Sequence, residues 1–325
     1  TDTTDGFGKY LVENLPPGNF TVTCGYPPAN HTNTADPDGG FDDTSDLSLA
    51  LGEDNLDQDF GYQPVSFCPA GAAGYELTDI LGNGMGNDRK HNMVSKITLP
   101  RNQTVVSLYG QLAGKDNGQA KYVRFIYPNN QFVQVDTIDG PSQRTFGVFW
   151  YGAELDPAAH IRGRWFLQKT GVKGHIPRGF LLYPTYETQE EYANVFELFQ
   201  PSDTQVYWNT FNGWTPYRNL SIDLPTPQGP VDLTIKLAMV DNDMDQRPVY
   251  VTVTAGNVTE RQVVTSPNRK DELNILEFTL KNVLPGTSEI TVELESPAAF
   301  VDGLGAPGGD SVALVGMTAH YACEP

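Results

Sequence analysis

The chain has 325 residues, enough for two or three domains of ordinary size. It carries 40 Asp and Glu against 21 Lys and Arg, a formal net charge of −19, which makes nucleic acid and anionic membranes poor partners because both need clustered Lys and Arg. No apolar run is long enough to span a bilayer, so no membrane insertion is expected of this segment.

Gly (32) and Pro (24) are frequent, aromatics are plentiful, and no helical periodicity runs beyond about two turns. This predicts an all-β chain of short strands and turns. Residues 20–24, Phe-Thr-Val-Thr-Cys, alternate apolar and polar as a half-buried strand does, and Cys24 continues the inward face of Phe20 and Val22. Residues 9–12 fit a strand less cleanly, with Tyr10 and Val12 on one face, and the turn Leu15-Pro16-Pro17-Gly18 joins the two. A third strand follows an acidic loop, and Asp59-Phe60-Gly61-Tyr62 closes the stretch.

Four elements in residues 1–62 carry a resemblance: Thr4-Asp5-Gly6-Phe7-Gly8-Lys9-Tyr10, then L-P-P-G-x-F-T-V, T-x-D-P-D-G and D-x-D-F-G-Y. In that order they resemble the C-terminal half of an Sdr-type, collagen-adhesin B-like domain of bacterial surface proteins. The resemblance implies a small Ig-like β-sandwich used as a stalk or spacer, and some members of that family bind calcium. The family's opening part has no counterpart here, so residues 1–64 are expected to form an incomplete sandwich.

The remainder repeats at low identity. Ile97-Thr98-Leu99-Pro100 and Ile222-Asp223-Leu224-Pro225 are offset by 125 residues, as are the turns at Asp116-Asn117 and Asp241-Asn242. Each half ends in a late strand, 179–183 and 311–315. Two jelly-roll-like β-sandwiches are expected, 65–200 and 201–325, giving tandem sandwiches overall. The last stretch, 310–323, resembles the final strand of galactose-binding-type sandwiches.

Five acids, Asp36, Asp38, Asp42, Asp43 and Asp46, fall within eleven residues, and Asp241, Asp243 and Asp245 make a second cluster. Calcium takes six to eight oxygens from irregular loops, so Ca2+ is the candidate ion at both, against a solvated turn capped by Asx bonds. Five N-glycosylation sequons begin at Asn19, Asn30, Asn102, Asn219 and Asn257. Trp208, Trp214 and Tyr217 are candidate sugar contacts in an aromatic, Asn-containing segment, against a role in core or subunit contacts; Trp150 and Trp165 sit on core-like strand patterns. Cys68 and Cys323 stand near the two ends of the region after residue 64, and first and last strands of a sandwich often lie side by side, so a disulfide between them is expected over two buried thiols.

No catalytic residue is expected. His31, His91, His160, His175 and His320 are scattered, and no zinc-protease, nucleophile-elbow, P-loop or dinucleotide motif occurs. Glu154/Asp156 and Glu187/Glu190/Glu191 are the acids to check for a glycosidase-like pair. The expectation is an extracellular or cell-surface structural protein whose copies assemble head to tail into a fibre or stalk. The incomplete sandwich would take a strand from a neighbour, or else be completed by strands preceding Thr1. The alternative is a carbohydrate-binding adhesin module with the B-type stretch as spacer.

Overall fold

The computed structural model describes residues 1–6, 8–25, 31–84, 92–100, 102–116, 120–128, 130–136, 148–159, 164–171, 175–199, 207–209, 217–241, 249–264, 273–295 and 311–324. They form strands and turns with one 3-10 turn, Pro157–Ala159, and no α-helix among the described residues. The protein is therefore all-β, as its composition and alternation predict. It divides into two units, Thr1–Ser66 and Phe67–Cys323.

The first unit has four short strands, β1 (Gly18–Thr23), β2 (His31–Ala35), β3 (Thr44–Leu49) and β4 (Gly61–Pro64). They make two separate antiparallel ladders, β1 with β3 and β2 with β4. Gly61 is required at the start of β4, because a Cβ there would stand 2.9 Å from that of Ala35. The strand expected at 9–12 does not form: Leu11 and Val12 are 63% and 43% exposed, and the Leu11 N–H donates to Asp2 Oδ2 at 2.6 Å instead of to a ladder. No described strand pairs with this segment, although the two ladders of the unit leave edges unpaired. Conversely, β2 (His-Thr-Asn-Thr-Ala) lacks the apolar alternation that marks strands in the sequence, yet it pairs with β4.

The second unit runs through β5 (Ala73–Thr78), β6 (Leu81–Gly84), β7 (Asn92–Thr98), β8 (Val105–Asp116), β9 (Ala120–Ile126), β10 (Phe132–Asp136) and β11 (Val148–Leu155). β12 (Arg164–Gly171) and β13 (His175–Leu198) follow, then β14 (Tyr207–Asn209), β15 (Tyr217–Asp223), β16 (Val231–Asp241) and β17 (Val249–Ala255). β18 (Val258–Val264), β19 (Leu273–Val283), β20 (Glu289–Glu295) and β21 (Ser311–Ala322) complete it.

The repeat seen in the sequence is a repeat of topology. One outer sheet has the order β10-β9-β12-β7 and the other β18-β17-β20-β15, the same positions eight strands on. The inner strands do likewise, β11-β8-β13 and β19-β16-β21. This order, a four-stranded sheet over a sheet holding the alternate strands, is that of a jelly roll. The remaining first strand is supplied by β5 and β6 on β13, and by β14 together with the end of β13 on β21. The Ile-x-Leu pairs of the two halves, Ile97/Leu99 and Ile222/Leu224, are all buried.

The two jelly rolls share one sheet. β13 pairs with β8 through residues 175–186 and with β21 through 192–198, so a single 24-residue strand closes the first jelly roll and opens the second. β13 ends at Leu198; residues 200–206, where a boundary is expected, lie outside the described residues, and the shared sheet joins the strands on either side of them. The first jelly roll buries Leu108, Leu112, Phe125, Phe180 and Leu182 between its sheets. The second buries Leu233, Ile235, Leu237, Val253, Phe278 and Met317, and this apolar cluster continues to Ala113, Leu181 and Tyr183 of the first. Each such side chain stabilises the fold by about 1.5–3 kcal/mol relative to exposure.

The expected disulfide is present: Cys68 and Cys323 are bonded across 255 residues of chain. The Phe67 N–H donates to the Cys323 carbonyl at 2.6 Å, so the two ends of the unit lie side by side.

Candidate functional site

The N-terminal unit is where the packing stops short. Phe20 and Val22 of β1 and Leu47 and Leu49 of β3 share one ladder face, with Phe20 opposite Leu47 and Leu49 opposite Gly18. All four are only half-buried, and Cys24, a free thiol continuing the same face, is half-buried too. The only fully buried described residue of the unit is polar, Ser45. Leu11, Val12, Leu15, Phe41, Leu51 and Leu56 are exposed. Each ladder has two strands and so two outer edges, none of them paired among the described residues.

The acidic loop joins β2 to β3. Asp38 Oδ1 accepts from the Gly40 N–H at 2.9 Å. Asp42 Oδ1 accepts from the Thr44 N–H and hydroxyl at 3.1 and 2.7 Å, and these bonds hold its carboxyl below the usual range. Asp46 accepts from the Thr21 hydroxyl across the ladder at 2.5 Å. These three acids are thus engaged locally. Asp36 and Asp43 differ: the Asn33 amide donates to both, at 3.4 and 2.9 Å, and the Tyr62 hydroxyl donates to Asp43 Oδ1 at 2.8 Å. Burial, then Cys24 and Asp43, push the Tyr62 phenol up. Asn33 Oδ1 and Asp36 Oδ1 are buried acceptors without a donor. Among the described residues no three His, Cys, Asp or Glu side chains converge as a metal site.

A second constellation, not anticipated from the sequence, lies on the joined sheet where the two jelly rolls meet. Lys236 of β16 stands 2.8 Å from Asp79 and 3.3 Å from Glu277 of β19. Burial alone would lower the Lys236 pKa, but the two carboxylates outweigh it and raise it. His320 of β21 lies opposite Asn194 of β13 and Thr234 of β16, and packs edge-on to Tyr192 at 5.7 Å. Burial and then Lys236 lower its pKa, against Asp79 and Glu277, and its Nδ1 is buried without a partner. Deeper in, Tyr183 donates to Gln111 Oε1 at 2.6 Å and Gln111 Nε2 donates to the Val315 carbonyl at 3.3 Å, both within the buried interior. Val315 is the extra residue of a bulge in β21, where the register against β16 shifts. The only sequence signal for this cluster is polar residues interrupting apolar strands, Lys236 in Thr-Ile-Lys-Leu-Ala-Met and His320 in Met-Thr-Ala-His-Tyr.

The other expected site residues are dispersed. Asn19, Asn102, Asn219 and Asn257 are exposed, and Asn257 Oδ1 accepts from the Leu284 N–H at 3.2 Å. Asn30, Trp214, Asp243, Asp245, His91 and His160 lie outside the described residues, as do the side chains of Trp208, Tyr217, Asp241, His175, Trp150 and Trp165. Of the acids weighed as a glycosidase-like pair, Glu190 Oε2 accepts from the Tyr192 hydroxyl at 2.9 Å, and Asp156 Oδ1 accepts from the Ala158 N–H at 2.9 Å.

No protein-family model matches the chain, and no curated protein matches it. Solved structures with similar β-rich folds include one from Sulfolobus turreted icosahedral virus, at 12% identity, covering 77% of this chain and 90% of that one with a TM-score of 0.26. Another is PNGase F, a glycosylasparaginase from Flavobacterium meningosepticum, at 11% identity, 76% and 96% coverage and a TM-score of 0.29. A third is the tandem CBM22 domain of Xyn10C from Paenibacillus barcinonensis, at 9% identity, 80% and 96% coverage and a TM-score of 0.27. At these scores the likenesses carry no argument about function.

Proposed function

We propose that this protein is an extracellular structural subunit whose copies join head to tail through the N-terminal unit. One observation carries the reading: residues 1–66 contain no buried apolar side chain among those described, yet present half-covered apolar faces and unpaired strand edges. Two-stranded ladders are marginal in water, and ordering some sixty residues costs more than half-buried faces return. A strand from a neighbouring copy supplies both missing parts: main-chain hydrogen bonds at an edge and alternate side chains over Phe20, Val22, Leu47 and Leu49. The contact is heterologous and need not close, so in this reading it propagates as a filament. The likeness of residues 1–62 to the second half of a B-type surface domain belongs to the same reading. The Cys68–Cys323 bridge suits an oxidising extracellular setting.

Electron microscopy and light scattering of the purified chain test this. Filaments, or a mass that grows with concentration and is lost on deleting residues 1–64, are expected. A chain that stays monomeric at high concentration overturns head-to-tail joining.

Calcium is part of the proposal at one place only. Asp36, Asp43 and Asn33 would hold the ion between β2 and β3, where two buried oxygens lack donors. Calcium titration should raise the melting temperature of the chain, and Asp43→Ala should remove that rise; an unchanged melting curve speaks against the ion. The carbohydrate-module alternative, resting on Trp208, Trp214 and Tyr217, falls on side chains outside the described residues.

A further inference from the structure

The first jelly roll carries an open cleft of about 400 Å³ lined by Tyr127, Asn130, Gln131, Phe132 and Asp156. It is built by the turn from β9 to β10 and the segment following β11. The Asn130 N–H donates to the Tyr127 carbonyl at 2.9 Å and the Tyr127 N–H to the Gln131 carbonyl at 2.8 Å, which fixes the turn. Asn130 sits at φ 69°, a left-handed conformation that Asn tolerates better than most residues. The turn thereby sets two amide side chains, Asn130 and Gln131, beside the ring of Phe132.

Tyr127 forms the floor. Its ring is buried, and its hydroxyl accepts the Asp156 N–H at 2.9 Å, which ties the acid to the cleft. Asp156 uses Oδ1 on Ala158, while Oδ2 makes no hydrogen bond among the described residues. Phe132 is 49% exposed, although Arg124 lies 4.4 Å over its ring centroid and donates to Gln134 at 2.9 Å. Arg124 thus braces one face of the ring, and the ring still lines the cleft.

An aromatic face, two amides and a carboxylate around an open cleft suit one ligand chemistry. An anion would need cationic groups in the lining; the lining instead includes a carboxylate, and the chain as a whole is at −19. A purely apolar ligand would need an enclosed apolar pocket. We propose that this cleft binds a neutral saccharide, with the Phe132 ring stacking on the apolar face of a pyranose while Asn130, Gln131 and Asp156 take its hydroxyls. The site is independent of the N-terminal unit, so it stands or falls apart from head-to-tail assembly.

Saturation-transfer NMR on the full chain tests it, with glucose, N-acetylglucosamine, cellobiose and maltose as probes and sialyllactose as an anionic control. At least one neutral sugar should give a signal. Phe132→Ala and Asp156→Asn should each weaken its binding roughly tenfold or more with the melting temperature kept. Asn130→Gly is the second route, since it removes the amide while suiting the positive φ, and decides the matter should Phe132→Ala fold poorly. Silence from all four neutral sugars, binding of sialyllactose alone, or affinity unchanged in Asn130→Gly and Asp156→Asn overturns the proposal.

Discussion

Leu51 and Leu56 of the N-terminal unit are 88% and 80% exposed, whereas Leu237 and Leu280 of the second jelly roll are fully buried. Leu51 and Leu56 lie in the connection after β3, but β1 and β3 beside them alternate apolar and polar as β17 of the second unit does. The difference is the number of layers. In the second unit the inner face of each large sheet has another sheet across from it, and β13 and β21 bind the two jelly rolls into one sheet. In the first unit two ladders of two strands each leave Phe20, Val22, Leu47 and Leu49 half-covered. Alternation commits a face to burial, but only a facing layer buries it.

The comparison breaks first at the disulfide. Replacing Cys68 and Cys323 by Ala should lower the stability of the second unit by about 5 kcal/mol, the chain-entropy value for so long a loop, as read from urea unfolding. A midpoint that hardly moves would show that β13–β21 pairing alone closes the unit. Next comes a matched pair of truncations. Phe278→Ala, at a site 1% exposed, should cost about 3–5 kcal/mol, and Leu51→Ala should stay within about 0.5 kcal/mol. Equal effects would mean that the first unit has a core of its own.

Gln111→Ala tests the seam between the jelly rolls. It strips the Tyr183 hydroxyl of its acceptor and the Val315 carbonyl of its side-chain donor, and should cost about 1–3 kcal/mol. Tyr183→Phe in the same background should recover part of that loss, because the orphaned hydroxyl goes with it.

The smallest effect is the pH dependence at His320. Its pKa in the folded chain lies below the ordinary 6.5, so the unfolded chain takes up the proton first. The stability it contributes is complete above about pH 7 and is lost as pH falls through 6.5 toward the folded value. The groups around it are Lys236, Asp79 and Glu277, with Tyr192 and Asn194 on β13. His320→Gln should flatten the urea midpoint between about pH 7 and 5; an unchanged slope would assign the dependence to the carboxylates.

Much of the architecture was legible in the chain. Composition and alternation determine an all-β protein. The Ile-x-Leu-Pro repeat marks two units of equal strand order, and the placement of Cys68 and Cys323 marks the bridge. The 9–12 strand misled because alternation is a property of the segment, whereas a strand also requires a partner edge. β2 escaped notice for the opposite reason, since its partner β4 makes a strand of a sequence with no apolar pattern.

The rest was decided by tertiary structure. Lys236 and Asp79 are 157 residues apart, and Gln111 and Val315 are 204 apart, so no local pattern links either pair. The cleft at Phe132 needs the turn after β9 and the segment after β11 to meet through the Tyr127 hydroxyl. The double service of β13, closing one jelly roll and opening the next, is invisible in its own residues. Periodicity states which side of a strand seeks cover; which strand provides it depends on the pairing of edges and the closure of long loops, and these are settled only when the whole chain packs.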